Sequence, residues 1–239
     1  MTERLTDQRI LVIGGAKYLG EAIARAAAAE GAHVVVGARD QDRARALAEE
    51  LPNAEAIRLD VAEEASIRAA AEALERVDHI VITASAHHNV PVAELEHDGI
   101  AGAFGAKVVG PMLVAKHFAP RMPSTGSILL FSGAAAWGPA PGLTVMGVSN
   151  GAVSFLASHL AKELAPVRVN AISPGITDSG TWDGLDAESR KGMYDDAAEG
   201  SLLGRIGRPD DVADAAIWLL GASYVSGETI HVDGGSRSA

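Results

Sequence analysis

Along this chain, short runs of β-branched and apolar residues alternate with longer alanine-rich stretches whose apolar positions recur at helical spacing. RILVIG (9–14) is followed by a helical stretch at 19–30, HVVVG (33–37) by one at 41–51, and AIRLD (56–60) by one at 63–76. The rhythm continues through HIVIT (79–83) and 98–118, SILLF (127–131) and 146–164, VRVNAIS (167–173), a helix at 209–221 and a last strand, ETIHV (228–232). This alternation predicts βαβ units joined by right-handed crossovers into a parallel sheet. The strand segments are continuously apolar, which fits a sheet covered by helices on both faces. The expected fold is α/β, a Rossmann-type doubly wound parallel sheet of about seven strands in a single domain over residues 1–239.

One segment departs from the rhythm. Residues 177–207, TDSGTWDGLDAESRKGMYDDAAEGSLLGRIG, are polar, punctuated by glycine and carry isolated Trp182, Met193 and Tyr194. A long excursion after the carboxyl end of a strand lies where open α/β sheets bind ligands, so it reads as a substrate lid. A surface loop with a short helix would have the same composition.

Charge and composition narrow the function. The chain has 20 basic and 31 acidic residues, a net charge of −11, which argues against nucleic acid or an anionic membrane surface as partner. No apolar run approaches the roughly 20 residues that span a bilayer, and MTERLTDQR lacks the apolar core of a secretory signal. The expectation is a cytoplasmic protein acting on a small-molecule substrate. With no cysteine, disulfides, thiolate metal sites and a cysteine nucleophile are excluded, and the histidines show no His-x-x-x-His ligand spacing.

The candidate chemistry begins with IGGAKYLGEAIA (13–24), which places Gly14, Gly15 and Gly20 between the first strand and the first helix. Gly14 permits a tight turn and Gly20 close helix–strand packing, leaving free N–H groups at the helix start to face a pyrophosphate. The second strand ends in VVVGARD, with Arg39 near the turn where an acid would meet a ribose 2′-hydroxyl. Arginine suits a 2′-phosphate, and Lys17 adds a second cation from the glycine turn, so NADP(H) is favoured over NAD(H). Two solvated surface cations would leave the same sequence. Asp60, ending the third strand, suits an adenine amino group and equally a helix cap.

With these residues in place, the chain resembles the short-chain dehydrogenase/reductase family along essentially its whole length. VRVNAISPGITDS (167–179) looks like the family's sixth strand and its Pro-Gly loop on the nicotinamide side, and LLGRIGRPDDVADAAIWLLG with ASYVSGETIHVDGG like its closing helix and strand. The resemblance implies cofactor contacts from Gly14, Lys17, Tyr18, Leu19 and Gly20, from Asp60 and Val61, from Ala84, from Asn150, and from Pro174, Gly175, Ile176 and Ser179. The glycine turn departs from the commonest form, with Ile13 for Thr and Tyr18 for the middle Gly. GGAKYLG resembles the pteridine-reductase branch, which tolerates a large residue there and binds NADPH. The apolar last helix and strand resemble the family's oligomer interface, implying a homodimer or homotetramer.

The catalytic set implied by the resemblance is changed at every position. LTVMGVSNGAV puts Met146 at the family tyrosine and Asn150 at the lysine; Gly133 falls at the serine, with Ser132 one step earlier; Lys107 stands at the helix-four asparagine. A thioether moves no proton at working pH, so ordinary carbonyl reduction loses its acid, a group worth about 10²–10⁴ in rate. Asn150 can hydrogen-bond ribose hydroxyls but carries no charge. Lys107 facing Asn150 suggests a retained polar pair with the two residue types exchanged, and a desolvated Lys107 could donate a proton or anchor charge; snorkelling to solvent, or bonding only to nearby carbonyls, is the plainer alternative. Ser132 is the remaining candidate for orienting substrate, although strand alternation points it away from the Gly133 direction. His87, and beside it His88, follows the fourth strand, where either could carry a proton near neutral pH or be solvated surface, and His87 counts among the substrate-pocket candidates. Trp137, Met146, Trp182, Met193 and Tyr194 could line a substrate pocket, or be ordinary packing.

Two functions fit. One is an NADP(H)-dependent oxidoreductase with catalytic candidates Lys107, Asn150 and Ser132, reducing an imine or conjugated C=C rather than a simple ketone. The other is a non-redox protein on the same scaffold: a lyase, isomerase or cyclase, a catalytically dead partner, or a ligand sensor.

Overall fold

The structure, a computed structural model, describes residues 5–238. Its strands are β1 (Arg9–Ile13), β2 (His33–Ala38), β3 (Ala54–Arg58), β4 (His79–Ile82), β5 (Ser127–Phe131), β6 (Arg168–Pro174) and β7 (Thr229–Val232). The helices are α1 (Tyr18–Ala29), α2 (Gln41–Glu50), α3 (Glu64–Ala73), α4 (His97–Phe104), α5 (Gly110–Phe118), α6 (Thr144–Glu163), α7 (Ala187–Glu199) and α8 (Pro209–Gly221). All strand pairs are parallel, in the order β3-β2-β1-β4-β5-β6-β7. The seven-stranded, doubly wound Rossmann-type sheet expected from the sequence is present.

Two apolar layers hold it. Leu11, Ile13, Ile80, Ile82, Ile128 and Leu130 point to one face and pack with α3, α5 and α6. Ile10, Val12, Val34, Val36, Val81 and Leu129 point to the other, against α1, α2 and α8. Because both faces are dry, every residue of β4 and β5 is buried, which explains their uninterrupted apolar runs. The strand order reverses between β1 and β4, and the crevice at their carboxyl ends is the natural ligand position of such a sheet.

Three segments differ from expectation. The helix expected over 98–118 contains a π turn, Gly105–Val109, between α4 and α5. Pro111 has no N–H to give Lys107, and its ring crowds that carbonyl, so the ladder widens there and Gly110 N–H bonds to Gly105 O instead. The whole stretch His97–Arg121 is long and apolar enough to cross a membrane by length and composition alone, contrary to the expectation that no segment reaches that length. Here it contributes Val114, Ala115 and Phe118 to the core. Lastly, the 177–207 excursion carries a helix, α7, whose N-terminus is capped by Asp186 accepting from Glu188 N and Ser189 N, and none of whose residues is buried. Thr177 and Gly207 pair as an isolated parallel bridge, closing the two ends of the excursion on each other.

At the opposite end of the sheet from the crevice, His79 opens β4 fully enclosed. Its Nε2–H donates to Gln8 Oε1 at 2.5 Å and its Nδ1 accepts from Ser127 Oγ at 2.8 Å, a pairing suited to neutral imidazole. Burial, helped by the Arg168 charge, pulls its pKa down to about 4. As pH falls below 6.5 the unfolded chain takes up a proton that the folded chain refuses until about pH 4, so stability present at neutral pH is lost on acidification. The His79 contribution to that loss should reach about 3 kcal/mol at pH 4. Urea unfolding of wild type and His79→Gln across this range checks it: the variant should show the shallower pH dependence.

Candidate active site

The first glycine turn is built by close approach. Gly14 has φ +83°, and a Cβ there would lie 2.7 Å from Thr83 Oγ1 and 2.8 Å from the backbone N of Ala84. A Cβ on Gly20 would strike the carbonyl of Gly14 and the same threonine. Thr83 Oγ1 donates to Ile13 O at 3.1 Å, locking the ends of β1 and β4 together. The turn leaves the N-terminus of α1, capped at Lys17 without a side-chain bond, pointing into the crevice. Around that opening Lys17 and Arg39 are exposed, and among the described residues neither forms an ion pair. Asp60 Oδ1 accepts from Ala62 N at 2.9 Å, so it shapes the loop before α3 but does not cap it; Glu63 is the cap residue. Val61 is buried, in close contact with Gly110 at the start of α5.

Further along the crevice, β5, the π turn and α6 meet. Asn150 is 2% exposed, and its Oδ1 has no hydrogen-bond partner. Gly133 lies against it: a Cβ there would stand 2.7 Å from Asn150 Nδ2. The Ser132 hydroxyl donates to Asn150 O at 2.8 Å and lies 3.0 Å from Ser154 Oγ, so it is committed to α6 instead of facing a substrate. Lys107 Nζ donates to Ser132 O at 3.4 Å. The lysine and Asn150 are thus joined through Ser132, where a direct pair was expected. Burial pulls the Lys107 ammonium down to about 8. Burial and the Lys107 charge also lower His87, whose Nε2 lies 3.2 Å from Ser85 Oγ. His88 is taken up elsewhere: its Nε2 accepts from Glu96 N at 3.2 Å and its ring covers Gly99. Met146, half-buried, sits in the first turns of α6.

On the far side, Pro174 ends β6, Gly175 N donates to Val232 O at 3.0 Å, and Ile176 O accepts from Gly207 N at 2.9 Å. Ser179 Oγ pairs with Thr181 Oγ1 at 3.0 Å. Tyr194 bonds within its own segment. Its hydroxyl donates to Asp178 Oδ1 at 2.9 Å, and burial together with that carboxylate pushes its pKa up to about 12. Trp137 packs edge-on to His231 of β7, ring centroids 5.0 Å apart. Trp182 and Met193 are half-buried in the lid. Two cavities lie elsewhere: a groove of about 590 Å³ between α5 and α6, lined by Met112, Leu156 and Leu160, and one of about 220 Å³ beside Arg205 and Asp211. Neither is lined by Trp137, Met146, Trp182 or Met193.

A family model described as Enoyl-(Acyl carrier protein) reductase matches residues 14–237. The Short-chain dehydrogenase/reductase ATR9 of Stachybotrys chlorohalonatus is 30% identical, with 97% of this chain and 98% of that one covered. The chain belongs to the short-chain dehydrogenase/reductase family. A second relative, Sorbitol dehydrogenase of Cereibacter sphaeroides, is 32% identical over 98% of both chains. A small-chain dehydrogenase solved in complex with NADPH matches at TM-score 0.86 and 31% identity, covering 97% of this chain and 99% of that one. Membership of this oxidoreductase family implies a nicotinamide cofactor.

Two features of this family member escaped the sequence. Ser154 Oγ reaches Ser132 across the β5–α6 packing, a contact that no local pattern signals. The π turn carrying Lys107 had one visible cue, Pro111 four residues on. The close Gly133–Asn150 contact makes a test of the centre. Gly133→Ala should destabilise the protein by roughly 1–3 kcal/mol through overpacking. In an Asn150→Ala background the same change should cost less than about 1 kcal/mol, because the obstructing amide is gone. Urea unfolding of the four proteins reads the cycle, and additive effects would show that the contact carries no strain.

Proposed function

We propose that this protein is an NADP(H)-dependent oxidoreductase that reduces a conjugated C=C bond, or an imine, without an acid at residue 146. The observation that carries the reading is an intact glycine cradle flanked by two cations, Lys17 and Arg39, that have no protein counter-charge among the described residues. The rest of the crevice fits the same cofactor. Gly14 and Gly20 let the turn close tightly on Thr83 and Ala84, and α1 offers its N–H groups to a pyrophosphate. The orphaned Asn150 Oδ1 would serve as acceptor for a ribose hydroxyl, and the Pro174–Gly175–Ile176 loop would hold the carboxamide end. When bound, the cofactor supplies a hydride; the chain supplies orientation and charge.

Lys107 favours the conjugated C=C over the imine. An iminium carbon is cationic and would be repelled by a nearby ammonium. Hydride addition to an enone instead places negative charge on the carbonyl oxygen, which an ammonium stabilises and can protonate. A group held near 8 is mostly protonated at neutral pH yet can release its proton. The non-redox alternative draws support from Met146 and from the commitment of the Ser132 hydroxyl to α6. A homo-oligomer is proposed as well, in keeping with the exposed Trp218 on α8 and Tyr224 before β7.

Two measurements test the reading. In calorimetric titration, NADPH should bind more tightly than NADH, and Arg39→Ala should weaken NADPH roughly tenfold or more, the scale of a lost charge-assisted contact, with little effect on NADH. NADPH oxidation should then appear with enones before ketones. It should fall as pH rises through about 8 and be lost in Lys107→Met. Product formed without NADPH consumption would favour the non-redox alternative.

A further inference from the structure

Tyr18 occupies a position where a side chain is costly. Its backbone is left-handed, φ +56°, a region that disfavours an L-residue by about 1–2 kcal/mol and that glycine enters freely. The ring is nevertheless held between two neighbours that belong to different parts of the site. Lys17 Nζ stands 4.6 Å from the ring centroid, within cation–π range. Gly180, in the first turn of the lid, also has positive φ, +89°, and a Cβ on it would come within 3.0 Å of Tyr18 Cδ1 and 3.1 Å of Cε1. The lid backbone therefore rests on the ring at a point where no side chain fits. Near the same glycine lies Asp183, which accepts from Arg190 of α7 at 2.6 Å, so the contact continues into the lid helix.

We infer that Tyr18 is a positioning residue that couples recognition of the cofactor's 2′-phosphate to ordering of the lid. The inference rests on the NADP(H) reading above. An ammonium over a ring face keeps N–H donors free on its outer side. A phosphate bound there fixes Lys17 where it already stands, and a fixed Lys17 restrains the ring that supports Gly180. NADH, lacking that phosphate, leaves Lys17 mobile. Coupling is reciprocal, so the ring that lets NADPH order the lid also lets the ordered lid strengthen NADPH binding relative to NADH.

The test is hydrogen exchange of amides 180–199 with no nucleotide, with NADH and with NADPH, in wild type, Tyr18→Phe and Tyr18→Gly. Glycine suits the backbone at 18, so the turn survives the second substitution. In wild type and Tyr18→Phe, NADPH should slow lid exchange more than NADH does; in Tyr18→Gly the two should act alike. By calorimetry, the NADPH-to-NADH affinity ratio should fall roughly two- to fivefold in Tyr18→Gly, the worth of an exposed cation–π contact, and hold in Tyr18→Phe. Equal lid protection by both nucleotides in wild type, or a difference that survives Tyr18→Gly, overturns the coupling and leaves the cofactor reading standing. Failure of either nucleotide to bind overturns both.

Discussion

The contact on which the rest of the site depends is the approach of the Gly14 backbone to the end of β4. Thr83 ties itself to the carbonyl of Ile13, and no carbon fits between Gly14 and the Thr83–Ala84 peptide. That approach sets the distance between the two strands where the sheet order reverses, and so the width of the crevice. It also fixes where α1 begins, because Gly20 packs on the carbonyl of Gly14. Every other group at this end of the sheet, from Arg39 after β2 to the loop after β6, is placed relative to this junction by the parallel ladder.

The residues where β5, the π turn and α6 meet form a linked set. Asn150, Gly133, Ser132 and Lys107 touch in sequence: side chain on glycine, hydroxyl on helix carbonyl, ammonium on strand carbonyl. A serine at 133 would need the space that Asn150 Nδ2 fills, so the amide at 150 and the bare backbone at 133 belong together. Lys107 then stands as a cation with one long hydrogen bond to a neutral carbonyl, in surroundings that disfavour its charge. Such a group is poised to respond to charge that appears beside it, as a neutral methionine at 146 is not.

Much of this was readable from the sequence because burial on both faces writes itself as unbroken apolar runs. All seven strands were recovered that way. β3 was displaced by two residues, since Ala54 and Glu55 extend the pairing with β2 while Asp60 bends its own chain away through the bond to Ala62 N. The glycine roles were legible because a turn and a close approach leave few residue types available. Helix α7 was left within the lid: it buries nothing, so it has no apolar stripe, and its visible cue was Asp186 as cap. Strand alternation is no guide to the Ser132 hydroxyl, because β5 ends at Phe131 and both this hydroxyl and a Cβ on Gly133 would meet Asn150. That the hydroxyl ends on Asn150 O and Ser154 depends on how α6 docks, which lies beyond any local pattern. Likewise the pairing of Tyr194 with Asp178 joins residues brought together by the lid's own folding.

The pairing of Thr177 with Gly207 gives the lid a common footing at both ends, reinforced by Gly207 N to Ile176 O and Asp178 N to Gly207 O. Its two flanks are tied to the rest of the fold as well, Gly180 against Tyr18 on one side and Ser201 Oγ on Gly234 O with Arg205 on Asp211 on the other, while α7 between them buries nothing. Change in length or composition is therefore cheapest within α7, the stretch the sheet does not feel.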